Sequence, residues 1–358
     1  MLVSPPSSHQ HLNVEPGDAV RIRLSRIKRN LRTKCGSYHW HVSEEYNQHL
    51  AALHSRWATP FDIVERLATG VAGVAIQDIC RVLQGEQNEV YDVTLGGAPS
   101  LIVRISHSGG EAFEREVWVL GQCAARGIPA PRVHSLSRMA VDGEPLAAMV
   151  MEKVPGVRLC DTDLAEAETR HVLGDVGRWL TQFHSIPVQG VGYLDSQGVG
   201  NLATLSDWLS ELTSASSVFV DAGRSVGLPT TTIQQWLREI VDSLCSSPPR
   251  IALIHNDLLA AHVMVRDGSF SGIIDFGEVA AEPAANDFAK WDFVECDRFP
   301  VEWIRDGYRD SSLFAHPNDR TYRALWFANG LWRLRWYYET GYRQGVEATR
   351  DRLVREPH

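Results

Sequence analysis

The fold is decided by Leu253-Ile-His-Asn-Asp257-Leu-Leu-Ala-Ala-His262-Val-Met-Val265 and by Ser271-Gly-Ile-Ile-Asp275-Phe-Gly-Glu278 just after it. Leu253-Ile254, Val263–Val265 and Ile273-Ile274 read as short apolar strands. The first delivers His255, Asn256 and Asp257 at its end, and the last delivers Asp275. Arg266-Asp267-Gly268 is the turn between the second and the third. A hairpin of this kind brings Asp257, His262 and Asp275 to one end of a small sheet. Two carboxylates and a third ligand gathered there are what metal-dependent phosphoryl transfer requires: one group orients a hydroxyl and two hold Mg²⁺.

The chain has 358 residues, enough for two lobes. Its hydrophobic content of 44% and charged content of 22% are those of an ordinary soluble globular protein. No apolar run approaches the roughly 18 residues of a membrane span, and the N-terminus lacks the apolar core of a signal peptide. The six cysteines are scattered, with no Cys-x-x-Cys pair, and read as reduced thiols. A cytoplasmic protein with no membrane partner is expected. Residues 1–56 carry eight Lys/Arg against four Asp/Glu, while the whole chain is −9, so the body is acidic. Such a body argues against nucleic acid as a partner and leaves room for a cationic substrate.

Residues 1–60 read as an extension, without periodicity over 1–20 and helical from about Ser43. Arg21 to Lys34 holds seven basic residues with Ile22, Leu24, Ile27 and Leu31 between them. A basic helix touching a membrane surface or nucleic acid suits that pattern, as does a solvated helix or an arm packed on the acidic body, and the latter is expected. The histidines near Cys35 match no metal frame and read as surface residues. Thr59-Pro60 has the form of a helix cap followed by Pro at the first helical position, with a helix to about Ala68.

Residues 61–154 are expected to form a sheet lobe. Ile76–Leu83, Glu89–Leu95, Leu101–Ser106 and Leu146–Val154 read as strands, and Gly110–Arg126 as a helix ended by Gly127 and Pro129. The turn Gly85–Asn88 suits a plain hairpin and also a cover for a polyphosphate. Arg104 stands in an apolar strand and Glu116 near an apolar helix stripe, twelve residues on. They are either a buried pair that aims a cation at phosphate or two exposed residues.

Residues 155–358 are expected to be mainly helical. Leu164–Ile186, Leu205–Ala222, Thr231–Cys245, Phe288–Val294 and Arg320–Tyr342 carry helical periodicity. His184 reads as a structural cap. The aromatic face around Trp326, Trp332 and Trp336 suits helix packing, or in part a pocket for a partly apolar substrate.

With its parts in this order, the chain resembles the aminoglycoside phosphotransferase family of antibiotic kinases over roughly residues 70–335. The resemblance implies an α+β, protein-kinase-like two-lobed fold. A small, mainly antiparallel sheet lobe with one helix would precede a larger helical lobe. His255-x-Asp257-x-x-x-x-His262 is similar to the family's catalytic loop, and Ile274-Asp275-Phe276-Gly277 to its metal-binding segment. Asp257 would then be the catalytic base, and His262 and Asp275 the metal ligands. Arg104 would take the place of the nucleotide-orienting Lys, with Glu116 as its helix partner. Gly85 and Asn88 would belong to the nucleotide loop, and Glu152 and Val154 to the strand that presents backbone to the purine. His255 would support the loop, and Asp287 would be a structural acid. The sequence departs from the family pattern at His262, where Asn is usual, at Arg104, and in a nucleotide loop with one Gly.

The implied activity is a kinase that moves the γ-phosphoryl group of ATP or GTP, with Mg²⁺, to a hydroxyl of a small molecule. An aminoglycoside or macrolide antibiotic is the expected acceptor, which would give resistance. Glu278, Glu282, Asp292 and Glu295 either line a pocket for its ammonium groups or form a solvated acidic helix. A kinase of an endogenous metabolite (choline, homoserine, a sugar or a fructosamine) and a nucleotide-binding pseudokinase are the alternatives.

Overall fold

Residues 50–355 are described by a computed structural model, apart from 53, 58, 84–86, 142 and 316–317. The expectations for the basic stretch 21–34, for the histidines at 9, 11, 39, 41 and 49 and for Gly85 fall outside the described residues, whereas His54, expected at the surface, is buried.

Pro60, with φ fixed at −54°, leads into helix α1 (Phe61–Ala72). Thr59 is not its cap. The Thr59 hydroxyl is drawn instead to the buried carboxylate of Glu89, to which it donates at 2.9 Å, and Pro60 takes the cap position. The helix continues past Ala68 and stops at Gly73, whose φ of 62° is the left-handed conformation that glycine adopts without strain.

Strands β1 (Ile76–Val82), β2 (Glu89–Leu95), β3 (Leu101–Ser106), β4 (Val133–Val141) and β5 (Glu144–Glu152) form an antiparallel sheet in the order β1-β2-β3-β5-β4. Side-chain alternation sends Tyr91, Val93, Leu101, Val103 and Ile105 to one face, under Val64 and Ala68 of α1. Residues between them, Ile102 and Arg104, point to the other face. There helix α2 (Glu111–Arg126) packs through Phe113 against Met149 and Met151. The sheet thus carries a second helix, α1, besides the expected α2. Edge strand β4 has no buried residue, so its apolar signal in the sequence is weak.

Beyond β5, a two-residue strand β6 (Val157–Arg158) precedes α3 (Glu166–Phe183), β7 (Val191–Leu194), β8 (Gly200–Leu202), α4 (Leu205–Ser214), α5 (Ser216–Ser225) and α6 (Thr230–Ser246). The expected single helix 205–222 is two helices broken at Ala215. Thr213 and Ser214 on one side of the break return their hydroxyls to backbone carbonyls, which weakens helix continuation. Then come β9 (Ile251–Ile254), β10 (Val263–Arg266), β11 (Ser269–Ile273), β12 (Ala280–Pro283), α7 (Asn286–Glu295), α8 (Val301–Gly307), α9 (Asn318–Glu339) and α10 (Arg343–Arg355). Trp179, Phe183, Phe276, Phe288, Trp291, Trp326 and Phe327 form the centre of a large buried core. Trp332 and Trp336 on α9 are exposed.

The hairpin through the turn at 266–268 forms between β10 and β11, but β9 stands outside it. β9 pairs with β12 in the sheet β8-β7-β12-β9, whereas β10 pairs with β11 and β6 in another. Segment 255–262 therefore crosses from one small sheet to the next, and the polar groups meet at the junction. Among the described residues no helix is long and apolar enough to cross a membrane. Cys80, Cys123, Cys160, Cys245 and Cys296 are all unpaired.

Candidate active site

The junction is built from α7 upward. Its first turn buries Asp287, whose two carboxylate oxygens accept the backbone N–H groups of His255 (2.9 Å) and Asn256 (2.8 Å). His184 donates to the same carboxylate at 3.0 Å through Nε2, and its Nδ1 accepts from the Tyr308 hydroxyl at 3.0 Å. Burial opposes the charge of Asp287, but these hydrogen bonds and the neighbouring imidazoles outweigh it and hold the group below the usual carboxylate range. At the other end of the same helix Glu295 accepts the N–H of Ala260 at 3.0 Å. One face of α7 thus holds the 255–262 loop at both ends.

The loop's own residues complete it. His255 is fully buried, and burial keeps its imidazole neutral and its pKa low. Its Nε2 donates to the Ile274 carbonyl at 3.1 Å, so Nδ1 is the bare nitrogen that accepts from the Asp257 N–H at 3.3 Å. One ring therefore ties the Asp257 loop to the strand end that carries Asp275. Phe276 is buried against Trp179, Phe183 and His255 and anchors the next residue. Asn256 and Asp275 have φ of 59° and 68°, the left-handed region in which Asn and Asp are the best tolerated of the non-glycine residues.

Asp257, His262 and Asp275 come together here, with one ligand atom of each lying within 4.8 Å of the others. Nδ1 of His262 donates to the Asp257 carbonyl at 2.6 Å, which leaves Nε2 bare and 3.6 Å from Asp275 Oδ2. From across the site Arg104, on the α2 side of β3, reaches Glu116 at 2.5 Å and Asp275 at 3.4 Å. Burial works against the Arg104 charge, but Glu116 and Asp275 hold it above its ordinary value. Burial pushes Glu116 up to about 7 despite that partner, and its Oε1 is buried without a hydrogen-bond partner. Asn88, with its amide turned to satisfy both ends, accepts from Arg104 at 3.0 Å. Glu152 and Val154 lie at and beyond the end of β5, where the Glu152 N–H is taken by Arg132 and the Lys153 N–H by Ser100.

The four acidic residues considered for an acceptor pocket do not share one wall. Glu278 accepts from Tyr193 at 2.9 Å and Gln87 at 3.3 Å. Glu282 is buried and accepts from Trp208 at 3.1 Å and Asn286 at 3.0 Å. Asp292 accepts from Tyr322 at 3.1 Å, and Glu295 supports the loop. Sequence reasoning missed Lys290. Its ammonium lies 3.2 Å from Asp257 Oδ1 and donates to the Asn256 carbonyl. Burial disfavours the Asp257 charge, yet Lys290 above all holds this carboxyl well below its usual range. The available signal was helical spacing, since Lys290 follows Asp287 by three residues on the same helix face.

The phosphotransferase enzyme family model matches residues 78–325. No curated sequence matches the chain significantly. Among solved structures, aminoglycoside phosphotransferase APH(4)-Ia is similar at 19% identity and a TM-score of 0.66, covering 83% of this chain and 97% of its own. A thermostable mutant of that enzyme, in ternary complex with AMP-PNP and hygromycin B, gives a TM-score of 0.67 at 19% identity, covering 81% of this chain and 96% of its own. The GDP and kanamycin complex of APH(2'')-IIia gives 0.61 at 16%, covering 83% and 98%. These likenesses concern the fold, and the family match spans more than two thirds of the sequence. A kinase-like sheet lobe over a helical body, with an Asp–His–Asp cluster facing an Arg–Glu pair at their junction, agrees with that match: the chain belongs to the phosphotransferase enzyme family.

Proposed function

We propose that this protein transfers the γ-phosphoryl group of ATP or GTP to a hydroxyl of a small molecule, an aminoglycoside or macrolide type of antibiotic being the preferred acceptor. The observation that carries the reading is the convergence of Asp257, His262 and Asp275 beside the Arg104–Glu116 pair. The donors fit a divalent cation such as Mg²⁺ or Mn²⁺: the Asp275 carboxylate is a hard donor, and the bare Nε2 of His262 a softer one. His262 and Asp275 would hold that cation, which when bound neutralises phosphate charge. Asp257 is kept ionised by Lys290 and so can accept a hydrogen bond from the acceptor hydroxyl, orient it and take its proton. Arg104, fixed by Glu116 and cushioned on the Phe113 ring at 5.3 Å, presents a planar fork to the nucleotide phosphates. Asn88 supports that fork, and the segment Glu152–Val154 flanks the place of the purine. Because the transition state is loose, positioning and charge neutralisation supply most of the acceleration.

Support for an antibiotic acceptor comes from the fold likeness to enzymes crystallised with hygromycin B and kanamycin, together with the acidic body. Of the nearby carboxylates, Glu278 is the best placed for an acceptor ammonium, being half-buried and three residues from Asp275. A screen of aminoglycosides, macrolides, choline, homoserine and sugars, each with ATP and GTP, tests the assignment through nucleoside diphosphate release. Release stimulated by an antibiotic is expected. Stimulation by a metabolite alone would overturn the acceptor class.

A further inference from the structure

We infer that Lys290 is a second catalytic cation of this site, one that grips the transferring phosphoryl group beside Asp257. The inference rests on the phosphotransfer reading and adds to it a residue that lies outside both the catalytic loop and the metal segment.

Three observations carry it. The Lys290 ammonium is 3.2 Å from Asp257 Oδ1 and donates to the Asn256 carbonyl, so two of its three protons are directed at the loop. Its third finds no acceptor among the described residues, and the side chain is 21% exposed, so it is not sealed in the core. Arg104 stands across the site, with Nη1 on Glu116 and Nη2 on Asp275, and its fork is the one assigned to the nucleotide phosphates. A phosphoryl group entering the site therefore meets a second cation, beside Asp257, that has a free donor.

Geometry then places that donor at the reacting centre. The acceptor oxygen must lie within about 3 Å of the Asp257 carboxylate, and phosphorus within about 3.5 Å of that oxygen. Oxygens on the phosphorus are then within reach of an ammonium that touches the same carboxylate. In the step, the bond between the γ-phosphorus and the β,γ-bridging oxygen breaks and the bond from the acceptor oxygen to phosphorus forms. The hydroxyl proton passes to Asp257, and nucleoside diphosphate leaves. Lys290 adds charge where the equatorial oxygens carry it.

The choice of amino acid agrees with this. Only four of the 35 Lys and Arg residues are lysines, at 28, 34, 153 and 290, so a cation serving for surface charge alone would be expected to be Arg here. A compact ammonium with three rotatable donors can hold the Asn256 carbonyl, Asp257 and a phosphoryl oxygen together, which a planar fork cannot do at this distance.

The test uses the full chain with Lys290→Gln and Lys290→Arg, each checked for an unchanged melting temperature. Affinities for Mg·ADP and Mg·AMP-PNP are compared, since only the second carries a γ-phosphoryl group. Diphosphate release from Mg·ATP and Mg·GTP with water as acceptor gives kcat and KM. Lys290→Gln is expected to bind AMP-PNP about tenfold or more weaker while its ADP affinity holds. Its kcat should fall by about 10², and its nucleotide KM for hydrolysis should rise in step with the loss of AMP-PNP affinity. Lys290→Arg should recover part of both losses. Equal weakening toward both nucleotides, or no change toward either, would overturn the proposal while leaving phosphotransfer standing. A wild-type chain that binds neither nucleotide would overturn both.

Discussion

His262 shows how one side chain sets the character of the site. The Asp257 carbonyl accepts the Nδ1 proton at 2.6 Å, and this fixes the tautomer that leaves Nε2 bare. Imidazole nitrogen is a softer donor than the amide oxygen of Asn, so the site should favour Mn²⁺ relative to Mg²⁺. Mn²⁺ affinity measured by electron paramagnetic resonance with nucleotide present, and Mg²⁺ affinity by competition, give the ratio. His262→Asn should shift that ratio toward Mg²⁺, and an unchanged ratio would show that His262 is not a ligand. At this scale the sequence was informative where the chemistry is local. Arg104 alternates with Val103 and Ile105 along β3, and that alternation places it on the α2 side. For Lys290 the local signal is only its spacing from Asp287 on one helix face, and its contact with Asp257 depends on the loop that α7 holds.

At the level of elements, β2 and α7 do the positioning. Glu89 opens β2 fully buried, and accepts from Tyr91 at 2.5 Å, Thr59 at 2.9 Å and His107 at 2.7 Å. Burial opposes its charge, but those donors and Arg81 prevail and lower its pKa. A lowered folded pKa contributes stability above the ordinary glutamate value of 4.5, and that stability is lost as pH falls through the folded value. Glu89→Gln should therefore cost about 1–3 kcal/mol near pH 7. Urea unfolding across pH should show the gap between wild type and variant closing below pH 4.5. A gap of the same size at pH 7 and pH 3.5 would contradict the charged, buried state. A close approach of helices sets a second constraint. A Cβ at Gly177 on α3 would run into the Ile304 carbonyl of α8. Gly177→Ala should lower stability by on the order of 2 kcal/mol, read from the denaturation midpoint. Long-range pairing accounts for what the sequence concealed here. β9 finds β12 across 25 intervening residues, a choice with no local signature, and β4 carries too little buried surface to signal a strand.

Across the whole molecule, the sheet supplies a cation and the helical part supplies the carboxylates, so neither alone is a site. Arg104 and Glu116 come from β3 and α2, while Asp257, His262, Asp275 and Lys290 come from segments tied to α7 and its neighbouring strands. Order along the chain was legible because each segment keeps its own motif, whereas the acceptor surface was not. Glu278, Glu282, Asp292 and Glu295 follow one another in sequence, but the fold gives them separate partners. The central claim is that Asp257 performs the transfer step and does not merely hold the fold. It is tested most directly by Asp257→Asn in the full chain, measuring Mg·AMP-PNP binding together with acceptor-dependent diphosphate release. The account predicts that the variant binds nucleotide at near wild-type affinity while turnover falls by about 10² or more, and turnover near the wild-type rate would contradict it.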